Sequence, residues 1–521
     1  MKSTEPARST AKEDALHGAS GSPAELRSRR NLQWAQGAIL VLLYSLPAVM
    51  CIHSAFVADP DVWWHLRDAE WILQHNAVPH TDPFSGAGRP WAAYSWLFEL
   101  LIFGIFQRLG LVGLVAYSAG MVVAIAAALH RLIRRLQADF TIAALLTAVA
   151  VSCIAGLFTP RPWLFSILFF TLELDLLMQA RKTGRMRGLL WLPVVFALWT
   201  NLHIQFFAGL AVLAIALTEA ALARRWTGIH TRIRPGWMSG IFVACVLAAL
   251  CSPYGWGSYS SLFGMAAQSG ILSRVTEMQA MSFRHFNDWS ALLFAFVATG
   301  LLARTRRFAF FESVLLAFAV YISFHSQRDV WVLAVVASGI LASEIKGDKD
   351  NRFLLTASAA PAIAVASVLA LLLGFRALGV NNVRLRANLA KQMPVRAVEF
   401  VKEKGLNGPL FNNFDWGGYL IWDLRMPVSA YGGISLVGEA RPDRLYTTWE
   451  AAPDWAVDPD LLKANLVIAP VALPLTQLLR LDPRFQLADE DKLAAVFVSR
   501  SSLSSGKAEL AAAADKSASS R

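Results

Sequence analysis

The sequence predicts a polytopic α-helical membrane protein of about eleven spans followed by a small α/β domain. Three observations carry that prediction. Of 521 residues, 55% are hydrophobic and only 16% charged, and the mean hydropathy is +0.45, whereas soluble domains run nearer ~25% charged. Apolar runs such as 111–129 are long enough to cross a bilayer, which takes about 18 residues or more. Beyond residue 374 the pattern becomes mixed and water-soluble.

Taken in order, residues 1–33 read as a disordered cytoplasmic tail and 34–374 as the membrane domain, whose first outer loop is 58–109. The first apolar segment, 34–57, follows too much polar chain to be a cleaved signal peptide. Short basic clusters then recur between apolar segments: Arg131, Arg134 and Arg135; Arg181, Lys182, Arg185 and Arg187; Arg224, Arg225, Arg232 and Arg234; Arg304, Arg306 and Arg307; Lys346, Lys349 and Arg352. By the positive-inside rule these are cytoplasmic, and the basic-poor connections lie outside. One stretch resists simple counting. Two spans within 96–130 would invert every later cluster, so Trp96 to Arg108 is expected to be a juxtamembrane or re-entrant helix, with only about 110–130 crossing. The net charge of +11 is therefore a topology signal, and nucleic acid is not the expected partner. Cys51, Cys153, Cys245 and Cys251 lack disulfide or zinc spacing.

Residues 375–500 alternate helical VRAVEFVKEKG with strand-like GPLFNN, ANLVIAPV and LAAVFVSR, which gives the α/β domain. Residues 501–521 form a small-residue, polar tail expected to be disordered.

The chemistry is expected in the first outer loop, where Asp59, Asp61, Asp68, Glu70 and Asp82 face only Arg67 and Arg89. Asp59 precedes Pro60 and is pushed toward extended backbone, so Asp59 and Asp61 project to one side. Such a pair can supply a general base or hold a divalent cation, Mg or Mn. A helix starting at Asp61 would align Asp61, His65 and Asp68, with Val62, Leu66, Ala69 and Leu73 on its apolar face. The competing reading makes Asp61 a helix cap and Trp63, Trp64, Trp71, Trp91 and Trp96 an interfacial aromatic belt. Glu173 and Asp175 lie inside an expected span, as structural partners of a neighbouring helix or as part of an ion path. Asp415 is expected to cap a helix in which Gly417 and Gly418 permit close packing, with acceptor binding as the alternative.

The string DPDVWWHLRDAEWILQHNAVPHTDPFS, with RPW and WLFELL, resembles the first periplasmic loop of a bacterial group of integral membrane glycosyltransferases of the GT-C superfamily. TPRPWLFSILFF, WTNLHIQFFAGL, SPYGW, HSQRDVWVLAVVA and FNNFDWGGYLIWDL follow in matching order, so the resemblance spans 59 to about 424. It differs at Met278, where Trp usually follows the Glu, and after Asp423, where an acidic strand end is missing.

The resemblance implies an enzyme of the bacterial inner membrane, N-terminus cytoplasmic and C-terminal domain periplasmic. Its donor would be a sugar carried on a polyprenyl phosphate within the membrane lipid, and its acceptor an unspecified lipid, glycan or protein. Asp59 and Asp61 would be catalytic. Arg161, Arg284 and Arg328 would bind the donor phosphate. His65, Asn201, His203, Gln205 and His325 would bind substrate, and His285 stands at the same level. The other readings are a non-catalytic assembly protein of envelope polysaccharide synthesis and a transporter. The latter lacks the inverted repeats that many transporters show.

Overall fold

The computed structural model describes residues 23–54, 59–85, 90–260, 275–304, 309–348, 350–433 and 441–501. Most of both tails expected to be disordered, 1–22 and 502–521, lies outside these. Residues 23–33 continue the first helix, α1 (Pro23–Ser54). The chain is about 69% helical with a small sheet near its C-terminus. After α1 come α2 (Val62–His75), α3 (Trp96–Leu109), α4 (Leu111–Leu136), α5 (Phe140–Cys153), α6 (Trp163–Thr183), α7 (Leu192–Leu202), α8 (Phe206–Leu222) and α9 (Pro235–Ala248). The apolar region is completed by α10 (Phe286–Arg304), α11 (Phe310–His325), α12 (Val330–Glu344) and α13 (Ala360–Ala377).

Among the described residues, α1, α4, α6, α10 and α13 are long and apolar enough to cross a membrane. The shorter apolar helices include α5, α8, α9 and α11. Fourteen residues, as in α5, rise only about 21 Å against a hydrocarbon core of about 30 Å. The break expected near residue 110 is present. Gly110 adopts φ +63° between α3 and α4, a left-handed value that glycine tolerates without steric cost, so the apolar run divides into two helices. Helix α12 is apolar around its circumference and buried continuously from Val330 to Ala342, as expected for a helix enclosed by others.

The C-terminal unit comprises α14 (Asn382–Leu389), α15 (Val395–Glu403), β1 (Leu410–Asn412), α16 (Phe414–Leu424), α17 (Arg441–Trp449), α18 (Pro459–Leu462), β2 (Leu466–Pro470), α19 (Pro474–Leu481), β3 (Phe485–Glu490) and β4 (Ala494–Ser499). The sheet order is β1-β2-β4-β3, with β1 parallel to β2 and the other pairs antiparallel. The three strands read from the sequence are β1, β2 and β4. Strand β3 escapes that reading because FQLADE is mostly exposed and carries acids. Phe411, Trp449, Val467 and Phe497 build a core of this unit's own, with Phe411 and Trp449 stacked at 5.1 Å.

Helix α2 joins the two regions. Val62, Leu66 and Ala69 are buried as expected, but Leu73 is 53% exposed and Ile72 takes its place. The opposite face carrying His65 and Asp68 is buried too, because α16 and α3 both pack on this helix. Trp63 and Trp91 are also buried. Trp63 packs edge-on against Phe106 and Tyr419, so these two rings serve the interior and not an exposed belt.

Candidate active site

Asp59 and Asp61 stand at the head of α2, and both carboxylates converge on one guanidinium. Arg161, in the turn before α6, places Nε 2.7 Å from the Asp59 carboxylate and donates through Nη1 to Asp61. The Asp59 carboxylate also accepts the Asp61 backbone N–H at 3.0 Å. Asp61 makes no side-chain cap for α2, so the capping alternative fails and its carboxylate is directed elsewhere. Arg161 Nη2 lies 4.0 Å from Glu277, and Glu277 is 3.6 Å from Arg328 Nη1. Three carboxylates and two guanidinium groups are thus interleaved.

Burial pushes the Asp61 carboxyl up to about 6; Arg161 pulls against this, while Asp59 and Glu277 add to it. Burial also opposes charge on Arg161, but the Asp59, Asp61 and Glu277 carboxylates outweigh it and raise its pKa. Arg161 remains a cation, and Asp61 becomes a base poised near neutrality. Asp61 is also the more accessible member of the pair, at 17% side-chain exposure against 4% for Asp59.

These groups line a cleft of about 650 Å³ whose far wall belongs to the C-terminal unit, through Asn413, Phe414, Asp415 and Tyr446. A second cavity, about 1050 Å³ and largely apolar, runs between α1 and α5 and is lined by residues such as Leu42, Met50, Leu145 and Val151. Gly156, Thr159 and Asn287 line both. At this junction the Thr159 hydroxyl is buried with no hydrogen-bond partner, and nearby Arg328 Nε is in the same condition. Unsatisfied buried donors are costly, and these two belong to residues that line the cleft.

The other expected residues sit elsewhere. Arg284 is exposed and not part of the cleft wall; its backbone N–H donates to Asp288. His325 is exposed and stacks on Tyr321, whereas His285 does line the cleft. Behind the cleft, His65 hydrogen-bonds Glu99 at 2.9 Å and His203 hydrogen-bonds Ser166 at 2.7 Å. Asn201 accepts from Trp96 and donates to two backbone carbonyls, and Gln205 donates to Asp329. These four are buried framework groups that do not line the cleft. Burial lowers the pKa of His65 and of His203, and Arg161 adds to both effects.

Asp175 pairs at 2.9 Å with each of Arg131 and Arg135, a structural use, while Glu173 is buried without a hydrogen-bond partner. The cap of α16 is Asn413, not Asp415. Glu277 is a site carboxylate to which sequence reasoning assigned no role, as are the cleft-lining Asp288 and Asp443; the signal of Glu277 was being the one acid between Glu219 and Asp288.

Arg161 already occupies the space between the two carboxylates at which a divalent cation was expected. No group of three or more His, Cys, Asp or Glu side chains suited to a metal occurs among the described residues. This donor set does not fit such an ion without displacement of the guanidinium. Comparison with known families finds no matching family model, and comparison with curated proteins finds no matching relative.

Proposed function

We propose that this chain is a GT-C-like membrane glycosyltransferase that moves a sugar from a polyprenyl phosphate to a lipid, glycan or protein acceptor. In this reading it resides in the bacterial inner membrane, with the cleft and the C-terminal unit on the periplasmic side. Some of the shorter apolar helices complete about eleven crossings. The observation that carries the proposal is the junction itself. An apolar groove suited to a prenyl chain adjoins, at the shared residues Gly156, Thr159 and Asn287, a cleft holding a paired carboxylate and arginines.

The chemistry follows from that layout. The lipid phosphate takes hydrogen bonds from Arg328 Nε and the Thr159 hydroxyl, two donors of cleft-lining residues that the protein leaves without a partner. The acceptor hydroxyl oxygen attacks the anomeric carbon while Asp61 removes its proton. The bond from that carbon to the phosphate oxygen breaks, and its electron pair leaves with the lipid phosphate, whose new charge faces Arg328. Asp59 holds Arg161 and the Asp61 backbone N–H, so its part is to orient the base.

The test compares wild type with Asp59→Asn and Asp61→Asn for transfer of labelled sugar from a panel of polyprenyl phosphate sugars into membrane lipid or glycan. Loss of transfer in a folded Asp61→Asn variant is the expected result. No transfer by wild type from any donor, or full transfer by both variants, refutes the proposal and leaves the non-catalytic assembly role.

A further inference from the structure

The C-terminal unit touches the candidate base directly, and glycines make the contact possible. At Gly432 an added Cβ would overlap the Asp61 carboxylate, with Asp61 Cγ 2.8 Å away. At Gly418, in α16, it would overlap the Pro60 carbonyl oxygen and come 3.4 Å from the Trp64 backbone nitrogen. The DPD segment is therefore clasped between a helix and a turn of the far unit, at a separation only a hydrogen side chain allows.

The clasp is held on either side of Asp61. Trp91 donates its indole N–H to the Gly433 carbonyl. Tyr431 donates its hydroxyl to Asp82 at 2.8 Å, and the Val428 N–H donates to the Phe84 carbonyl at 3.0 Å. Arg425 pairs with Glu70 on α2. An isolated sugar-binding appendage would need none of these bonds to the first loop.

We infer that the C-terminal unit is a constituent of the active site, with Gly418 and Gly432 as positioning residues that fix where the Asp61 carboxylate points. This rests on the proposed function for its catalytic meaning, but the contact can be tested without it. A side chain at 432 must displace Asp61 from its packed position, and the open cleft that Asp61 lines is the free space beside it. Asp61 then becomes a more ordinary carboxylate.

Two readouts decide it, in full-length protein. The first is the pH profile of sugar transfer by Gly432→Ala and Gly418→Ala, with Gly240→Ala as control, since a Cβ there meets nothing within 4 Å. We expect the acid limb of Gly432→Ala to move about one pH unit lower, with a rate loss of about tenfold or more, and the control to match wild type. The second readout needs no turnover. In an Asp61→Cys, Cys153→Ala, Cys251→Ser background, which removes the cleft-lining and the exposed thiols, Gly432→Ala should raise the rate of modification by a charged methanethiosulfonate several-fold, and Gly240→Ala should not. If Gly432→Ala does not accumulate, Tyr431→Phe, which removes only the hydrogen bond to Asp82, should raise the same rate. Unchanged thiol reactivity in these variants overturns the inference, whatever the transfer assay gives. Absence of transfer from wild type overturns the proposed function alone, and the thiol rates still decide the clasp.

Discussion

Replacing Arg161 by Gln should unmask what the guanidinium offsets. Asp59 is 3% exposed, and its carboxylate shares Arg161 with Asp61. Removing one partner of a buried ion pair costs about 3 to 5 kcal/mol, because the remaining charge is left uncompensated in low dielectric. Here two carboxylates lose the same partner, so the upper end of that range applies. The loss must also depend on pH. Without Arg161 the folded-state pKa of Asp61 rises above about 6, further from its unfolded value. Stability from a group with a raised pKa is full below the unfolded pKa and is lost as pH rises through the folded one. Arg161→Gln should therefore unfold several degrees below wild type at about pH 8 and more nearly with it at about pH 5. Adding Asp59→Asn should recover roughly half of the deficit, since one uncompensated charge is then gone. Tryptophan fluorescence during heating of detergent-solubilised protein reads all of this. A variant indistinguishable from wild type at both pH values would falsify the claim that Arg161 holds the carboxylate pair.

Three further outcomes follow from the same geometry. Transfer should rise with pH through about 6 and then level off, because Asp61 must be ionised to act as base; a flat profile across that range excludes this role. Arg328→Gln should weaken donor use by about tenfold or more through KM, while Arg284→Gln, exposed and outside the cleft wall, should leave kinetics unchanged. Asp68 and Glu99, both fully buried, have carboxyls raised by burial, Asp68 to about 6. The folded chain accordingly holds protons that the unfolded chain releases between about pH 4 and 6, and about 3 kcal/mol is lost across that window for Asp68; Asp68→Asn should flatten this slope in thermal unfolding, and an unaltered slope counts against it.

The apolar helices and the break near Gly110 were legible because hydropathy and basic clusters act along the chain, where periodicity and length can be counted. Asp59, Asp61, Arg161 and Arg328 were legible as residue types at helix ends. Their pairing was not, since Arg161 meets Asp59 across a hundred residues and no local pattern encodes that approach. His65, Asn201, His203 and Gln205 lie behind the cleft wall for a physical reason. Polar side chains next to apolar helices are read as facing a substrate, yet buried frameworks need hydrogen-bonding groups just as much. The close approach at Gly418 was legible from the Gly-Gly pair, whereas Gly432 gave no signal, because what it accommodates is set entirely by another segment.

The clasp around Asp61 also bears on how the protein is made. The DPD segment emerges early and Arg161 later, but the wall carrying Asn413 and the turn carrying Gly432 leave the ribosome only after every long apolar helix has been synthesised. A nascent chain can thus acquire its greasy groove while the reactive carboxylate is still unseated. On the proposed function, the cleft is complete only once the last domain folds back onto the first loop, and separately expressed halves split near residue 380 should be inert alone and recover transfer only on reassembly.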